Sequence, residues 1–188
     1  MDEKPSKAYL IADTHFLHDK MGFYCGRPDD FGKKIINQWQ NTVKPHDLVY
    51  HLGDVIWGTR DQLTAIMKDL PGVKILIRGN HDKNHSNNWF LTAGFAAVLE
   101  KAQVSGVILS HWPAVMNQAE INRGLINVHG HFHNNPVRKW EKNLVERITP
   151  SHYLLSLEEV HYRPVPLNDV IRRKWVKNSH ELVLKSES

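Results

Sequence analysis

Cys25 is the only cysteine in the 188 residues, so the chain can make no internal disulfide and falls outside the disulfide-stapled secreted class. No apolar run approaches the roughly 20 residues needed to span a bilayer. The opening MDEKPSKAYL lacks the charged-then-apolar order of a signal peptide. Together these absences predict a cytoplasmic protein with no membrane partner, as a monomer or small homo-oligomer. No activating group stands near Cys25 in the sequence, so it reads as a packed thiol without chemistry. Internal repeats, low-complexity tracts and linkers are also missing, and the length is too short for two comfortable domains, so residues 1–188 are expected to form a single domain. Charge of one sign is scarce. Lys and Arg number 24 against 20 for Asp and Glu, a formal net charge of +4, which by itself is no nucleic-acid signature.

The 41% hydrophobic content is enough for one core. Short β-branched or aliphatic runs at 9–12, 48–52, 75–77, 107–109, 126–128 and 153–157 read as buried strands. Between them, Phe31, Ile35, Ile36, Trp39 and Val43 trace one helical face, and Leu63, Ile66, Met67 and Leu70 trace a second. Thr59 and Gln62 form a capping-box signature, and Pro71-Gly72 ends that helix. Further helices are predicted near Asn84–Ala93 and Asn168–Lys177, with Trp175 on the apolar face of the latter. Ala96–Leu99 and Val107–Leu109 read as a strand pair. The expected fold is α/β, with a second, mixed or antiparallel sheet packed on the first. Asn134–Pro150 is unpatterned and reads as a long surface loop or hairpin near the site mouth, and residues 179–188 are expected to fray.

Seven polar residues follow the ends of the hydrophobic runs: Asp13, His15, Asp54, Asn80, His111, His131 and His133. In open α/β sheets ligands bind just beyond the carboxyl ends of strands, so these side chains are expected to converge. Asp13-Thr14-His15 and His131-Phe132-His133 each place two ligands at i and i+2, which in an extended backbone point the same way. Gly53-Asp54 and Gly79-Asn80 each set a glycine ahead of the ligand, permitting a close backbone approach. Two carboxylates brought together would repel unless divalent cations compensate. The chemistry this favours is metal-dependent hydrolysis by two ions, and bound cations would also welcome anionic substrates.

Asp13-x-His15, Gly53-Asp54, Gly79-Asn80-His81-Asp82, Ser110-His111 and Gly130-His131-x-His133, in this order, closely resemble the motifs of the calcineurin-like metallophosphoesterases. The stretches ADTHFLHDKM, VYHLGDV and IRGNHDKNH are similar to the small bacterial and bacteriophage single-domain branch, as is Tyr162-Arg163-Pro164-Val165 leading into Pro166-Leu167. The resemblance implies a four-layer α/β/β/α sandwich of two mixed sheets flanked by helices. It implies one divalent metal on Asp13, His15, Asp54 and His133, and another on Asp54, Asn80, His111 and His131, with Asp54 as the bridge. The ions would be manganese foremost, with iron, nickel or zinc as alternatives. A metal-bridging hydroxide would be the nucleophile. His81 would stabilise the transition state or protonate the leaving oxygen. Asp82 would orient His81, or else merely cap the helix that starts near Asn84.

The implied function is a phosphoesterase, with phosphodiesters favoured over phosphomonoesters and a small, nucleotide-like substrate expected. The alternatives are a nuclease acting on single-stranded nucleic acid, whose backbone could be followed by Lys33, Lys34, Arg138, Lys139 and Lys142, and a non-catalytic metal-binding scaffold. Among residues with weaker claims, His18 and Arg27 lie in the loop after the first strand and are candidate substrate contacts, Arg27 as a bidentate phosphate grip. His85 lies within a few residues of the ligands. His51 and His129 read as packed or supporting histidines. Trp57 and Trp112 could line the pocket, whereas Trp39 is expected in the core.

Overall fold

Alternating short apolar runs and amphipathic stretches give the chain its layers. The structure, a computed structural model, describes residues 6–135 and 141–187, with side chains through Val183. In chain order its elements are β1 (Ala8–Ile11), α1 (Met21–Cys25), α2 (Phe31–Thr42), β2 (Leu48–His51), α3 (Arg60–Asp69), β3 (Val73–Ile77), α4 (Asn87–Ala93), β4 (Ala97–Leu99), β5 (Ala102–Val104), β6 (Val107–Leu109), α5 (Gln118–Asn122), β7 (Ile126–His129), α6 (Lys142–Val145), β8 (His152–Leu154), β9 (Val165–Pro166), α7 (Leu167–Ile171), β10 (Lys177–Asn178) and α8 (Ser179–Glu187). They build two five-stranded mixed sheets, ordered β4-β3-β2-β1-β9 and β10-β8-β7-β6-β5. In the first sheet β1 to β4 run parallel and β9 pairs antiparallel with β1. In the second, β6, β7 and β8 run parallel, and β5 and β10 close the edges antiparallel. Helices flank the sheets in the metallophosphoesterase-like α/β sandwich that the motifs implied.

One continuous core joins the sheets, drawing Leu10, Ile11, Val49 and Leu76 from the first and Leu109 and Val128 from the second. Helix α2 turns Phe31, Ile35 and Trp39 inward, and the Trp39 indole N–H donates to Pro71 O at 2.9 Å, so the core tryptophan buries no unsatisfied donor. The capping box at α3 forms as expected, with the Thr59 hydroxyl accepting from Gln62 N and the Gln62 amide oxygen accepting from Thr59 N. At the other end of α3, the buried Lys74 Nζ donates to Leu70 O at 2.6 Å and Met67 O at 3.2 Å. It thereby supplies partners to carbonyls that a helix terminus leaves unpaired.

Several expectations are corrected. Ala97–Leu99 and Val107–Leu109 do not pair. The former is the parallel edge of the first sheet, and the latter pairs with β5 through a two-residue turn at Ser105-Gly106, whose φ values of 50° and 80° suit a type I′ hairpin. The helix expected over 168–177 stops at Ile171, because Arg173 and Trp175 take left-handed backbone that redirects the chain into β10. Trp175 is therefore surface-facing, covered by the Arg163 guanidinium at 4.3 Å. The strand expected over 153–157 is β8 and ends at Leu154, and the helix near Asn84 begins at Asn87 after a 3-10 turn over His81–Asn84. Residues 179–187 are helical rather than frayed, with Ser179 buried. Within 134–150, α6 replaces the expected loop in part; Arg138, Lys139 and Trp140 lie outside the described residues.

Candidate metal centre

The loops leaving β1 and β2 run side by side and are zipped by backbone hydrogen bonds: Asp13 N to Gly53 O, His15 N to Asp54 O and Phe16 N to Val55 O, each 2.9–3.0 Å. The expected extended i, i+2 geometry is not what aims the side chains. Asp13, His15, Asp54, His131 and His133 all have positive φ, between 44° and 72°. Non-glycine residues rarely adopt this region, and Asp and His tolerate it better than β-branched residues do. Such strain concentrates where a surrounding structure fixes ligands in place. Asp82 provides much of that fixing. Its carboxylate accepts from Asp54 N, Val55 N and Gly79 N at 2.8–3.1 Å, tying the Gly53-Asp54 loop to the Gly79-Asn80 loop.

Two clusters of potential ligand atoms result: Asp13, His15 and His133 in one, and Asp54, His111 and His131 in the other. Asp54 touches both, since its Oδ2 lies 3.6 Å from His15 Nε2 and 3.4 Å from His111 Nε2. Each surrounding hydrogen bond leaves an imidazole lone pair directed inward. His111 Nδ1 donates to Leu52 O at 2.8 Å, leaving Nε2 facing Asn80 Oδ1 at 2.9 Å. His131 Nε2 donates to Glu141 Oε1 at 2.8 Å, leaving Nδ1 3.3 Å from His111 Nε2. His133 Nδ1 donates to Glu158 Oε1 at 3.1 Å, leaving Nε2 for the first cluster. A carboxylate or carbonyl behind each ring fixes its tautomer, as is usual for metal-bound histidine.

Electrostatics favour cations here. Burial, reinforced by the charge of Asp54, pushes the Asp13 carboxyl well up, and burial with the charge of Asp82 pushes Asp54 up to about 8. Burial, then the neighbouring His133, holds His15 well below the usual imidazole range, and burial followed by His131 does the same to His111. His15 Nε2 is buried without a hydrogen-bond partner. Neutral imidazoles, carboxylates that repel one another and an orphaned nitrogen all fit a divalent cation, which supplies the missing positive charge. A further grouping of Cys25, His133 and Glu158 is less suited. Burial pushes the Cys25 thiol up to about 11, and Glu158 is already engaged by Arg27.

The structure brings all seven expected ligands to one place, but it moves other candidates. Arg27 does not face the mouth. Its fully buried guanidinium is bound by Glu158 Oε1 and donates to Thr14 O and Asp13 O, so it braces the first ligand loop from behind. Its long side chain carries it under the site, which position along the chain could not reveal. Asp82, engaged by three backbone amides, neither holds the His81 ring nor caps a helix near Asn84. His81 is half-exposed, with Nε2 3.9 Å from Asp54 Oδ2. His18 sits at the surface against Trp57, and His85 stacks on Trp89 at 4.0 Å. His51 and His129 are buried and hydrogen-bonded, to the Thr14 hydroxyl at 2.9 Å and the Ser179 hydroxyl at 2.8 Å. Sequence reasoning misses Glu141 and Glu158 entirely, and no motif marks either one.

The family model for calcineurin-like phosphoesterases matches residues 6–184. An uncharacterized protein of Methanocaldococcus jannaschii is 30% identical, covering 88% of this chain and 90% of its own. The gene 66 protein of Mycobacterium phage D29 is 28% identical over 82% of this chain and 94% of its own. The crystal structure of an Aquifex aeolicus protein of unknown function superposes with a TM-score of 0.68 at 26% identity, covering 90% of this chain and all of that one.

Proposed function

The chain belongs to the calcineurin-like phosphoesterase family and is a metal-dependent phosphoester hydrolase; on that premise we propose a dinuclear phosphodiesterase, with residues 1–188 as one cytoplasmic catalytic domain. The observation that carries the proposal is the meeting of two ligand groups on Asp54. Asp13, His15, Asp54 and His133 would hold one cation, and Asp54, Asn80, His111 and His131 the other, with manganese the expected occupant. Two divalent ions, when bound, polarise phosphoryl oxygens and make hydroxide available near neutral pH. The remaining work falls to the protein. The buried loops exclude water from one side of the site. His81, beside Asp54 yet half-exposed, is placed to give a proton to the leaving oxygen or to stabilise its charge. Burial, then the charge of His18, lowers the His81 pKa against the opposing pull of Asp82.

Preference for a diester is supported by what the arginines do. A phosphomonoester dianion calls for extra cationic groups, but Arg27 is committed to Glu158 and backbone carbonyls, and Arg78 to Asn87 Oδ1, Asp82 O and His85 O. A diester carries one charge and asks less. The test is catalytic efficiency on bis-nitrophenyl phosphate and nitrophenyl phosphate, with saturating manganese at one pH. The diester is expected to be hydrolysed at least as well. A preference above tenfold for the monoester overturns the diesterase reading. Release of acid-soluble nucleotides from single-stranded DNA would make the enzyme a nuclease, and binding of manganese without hydrolysis of either ester would make it a scaffold.

A further inference from the structure

Large apolar side chains scattered singly over a surface need no explanation, but a contiguous group beside a site does. Next to the candidate metal centre, Phe23 is 88% exposed, Trp57 56%, Leu17 47% and Tyr24 46%. The three aromatic rings among them form, with His18, a line that starts at His81. Trp57 lies 5.7 Å from His81 and 4.8 Å from His18, His18 lies 6.0 Å from Tyr24, and Tyr24 lies 5.5 Å from Phe23. The line therefore begins at the group placed beside the leaving oxygen and runs outward along the mouth. Leu17 holds φ 63°, a conformation leucine resists, and its side chain is thereby presented at the same rim.

A cavity of about 670 Å³ opens on the same Leu17 and His18, with Phe16, Ile36 and Ile66 among its walls. That volume lies within the roughly 300–1,000 Å³ of small-molecule sites. Asp19, Asp29 and Asp30 also line it beside Arg27 and Lys33, so its charges are mixed. Apolar side chains make up its inner wall, which suits a flat ring system.

We infer that Trp57 and His18 form a stacking surface for a flat aromatic group, a nucleobase or a simple aryl ring, ester-linked to the phosphate that the metal centre takes. This rests on the phosphoesterase reading and adds the substrate class to it. Every base presents a π-face, so the surface selects aromatic over aliphatic esters without selecting among bases.

The test pairs binding with turnover in the manganese-loaded protein. Calorimetry compares adenosine 5′-phosphate and phenyl phosphate with ribose 5-phosphate. Kinetics compare the methyl ester of adenosine 5′-phosphate with the methyl ester of ribose 5-phosphate, which share a leaving group and differ in whether an aromatic ring is present. The wild type is expected to bind the aromatic ligands at least about tenfold more tightly than ribose 5-phosphate, as loss of one stacked ring costs about 5–150-fold. Tighter binding of adenosine 5′-phosphate than of phenyl phosphate identifies the nucleobase as the natural partner, and the reverse identifies a simple aryl ester. Trp57→Ala should reduce the preference to under about threefold and Trp57→Phe should restore most of it. Absence of any preference in the wild type, or equal losses for aromatic and aliphatic ligands in Trp57→Ala, overturns the inference. If the binding preference appears and depends on Trp57 but no ester is hydrolysed, the stacking surface stands and the phosphoesterase reading fails. Hydrolysis without an aromatic preference overturns the stacking surface and leaves the phosphoesterase reading standing.

Discussion

Asp54 combines burial, a positive φ and proximity to both ligand clusters, so the smallest change at this residue is the most informative. Asp54→Asn keeps the shape and removes the charge; it is expected to abolish nearly all turnover and to weaken both ions, as read by metal content after dialysis. Two tightly held ions with near-normal turnover would refute the bridging role. His81→Ala is expected to retain both ions and slow turnover by about 10²–10⁴-fold, the usual range for a lost general acid or base. If His81 donates a proton, esters with an alkoxide leaving group should suffer more than nitrophenyl esters, whereas equal losses indicate charge stabilisation. Behind the site, Arg27→Leu would take from the buried Glu158 its permanent cation and leave it only the hydrogen bonds from His133 and Ser156. Burial pushes the Glu158 carboxyl up, but the hydrogen bond from His133 and the charge of Arg27 outweigh it and hold it at about 2. Breaking such a buried pair costs about 3–5 kcal/mol, and removing both partners costs less. Denaturant unfolding of Arg27→Leu and of the double variant with Glu158→Leu should show that order. Equal stabilities would mean that the pair braces nothing.

At the scale of elements, the turns decide which loops can hold ligands. A Cβ on Gly79 would collide with the Asp54 carboxylate and lie 2.6 Å from Asp54 N, whereas one on Gly106 meets nothing within 4 Å. Gly79→Ala should therefore cost metal binding and activity severely. Gly106→Ala should cost only the left-handed backbone penalty, about 1–2 kcal/mol of stability, with normal turnover. Loss of activity in Gly106→Ala, or its retention in Gly79→Ala, would contradict this. These turns also explain what was legible in the sequence. Strand ends were readable because apolar runs stop sharply at Asp13, Asp54 and His111, and the α3 cap because Thr59 and Gln62 interact locally. The strand pairing of 97–99 with 107–109 failed because adjacency along the chain does not report which sheet a strand joins. The helix to Lys177 failed because the antiparallel pairing of β10 with β8 overrides local propensity. Arg27 and Glu158 were illegible because they meet each other across 131 positions, and Glu141 because, although only ten residues from His131, it lies in a stretch with no hydrophobic pattern to place it.

For the molecule as a whole, the buried carboxylates make stability depend on pH and metal together. Asp13 and Asp54 have folded pKa values raised above their unfolded ones, so each keeps a proton that the unfolded chain has lost, for Asp54 up to about pH 8, whereas the buried His15, His51, His111 and His129 have lowered values and shed in the native state protons that the unfolded chain keeps up to about pH 6.5. Stability of the metal-free protein should therefore rise with pH to about 6.5, where the unfolded histidines lose their protons, and fall from there to about pH 8 as the buried carboxylates give up theirs. Cations displace these protons and bind the folded site, so the rise in melting temperature on adding manganese should grow over the same range. Thermal scans with and without chelator at several pH values measure this directly. A metal-free melting temperature that keeps climbing between about pH 7 and pH 8 would count against the buried carboxylate pair.

The two sheets divide the chain almost in sequence. β1 to β4 lie in one, β5 to β8 in the other, and only β9 returns to the first. The exposed residues Glu100 and Lys101 mark the crossing. A cut there leaves Asp13, His15, Asp54 and Asn80 on one fragment and His111, His131 and His133 on the other. Neither half could chelate two ions alone. Co-expressed as separate pieces, they would be drawn together by the shared core, and divalent metal, bound only by the joined site, would favour reassembly further by linkage.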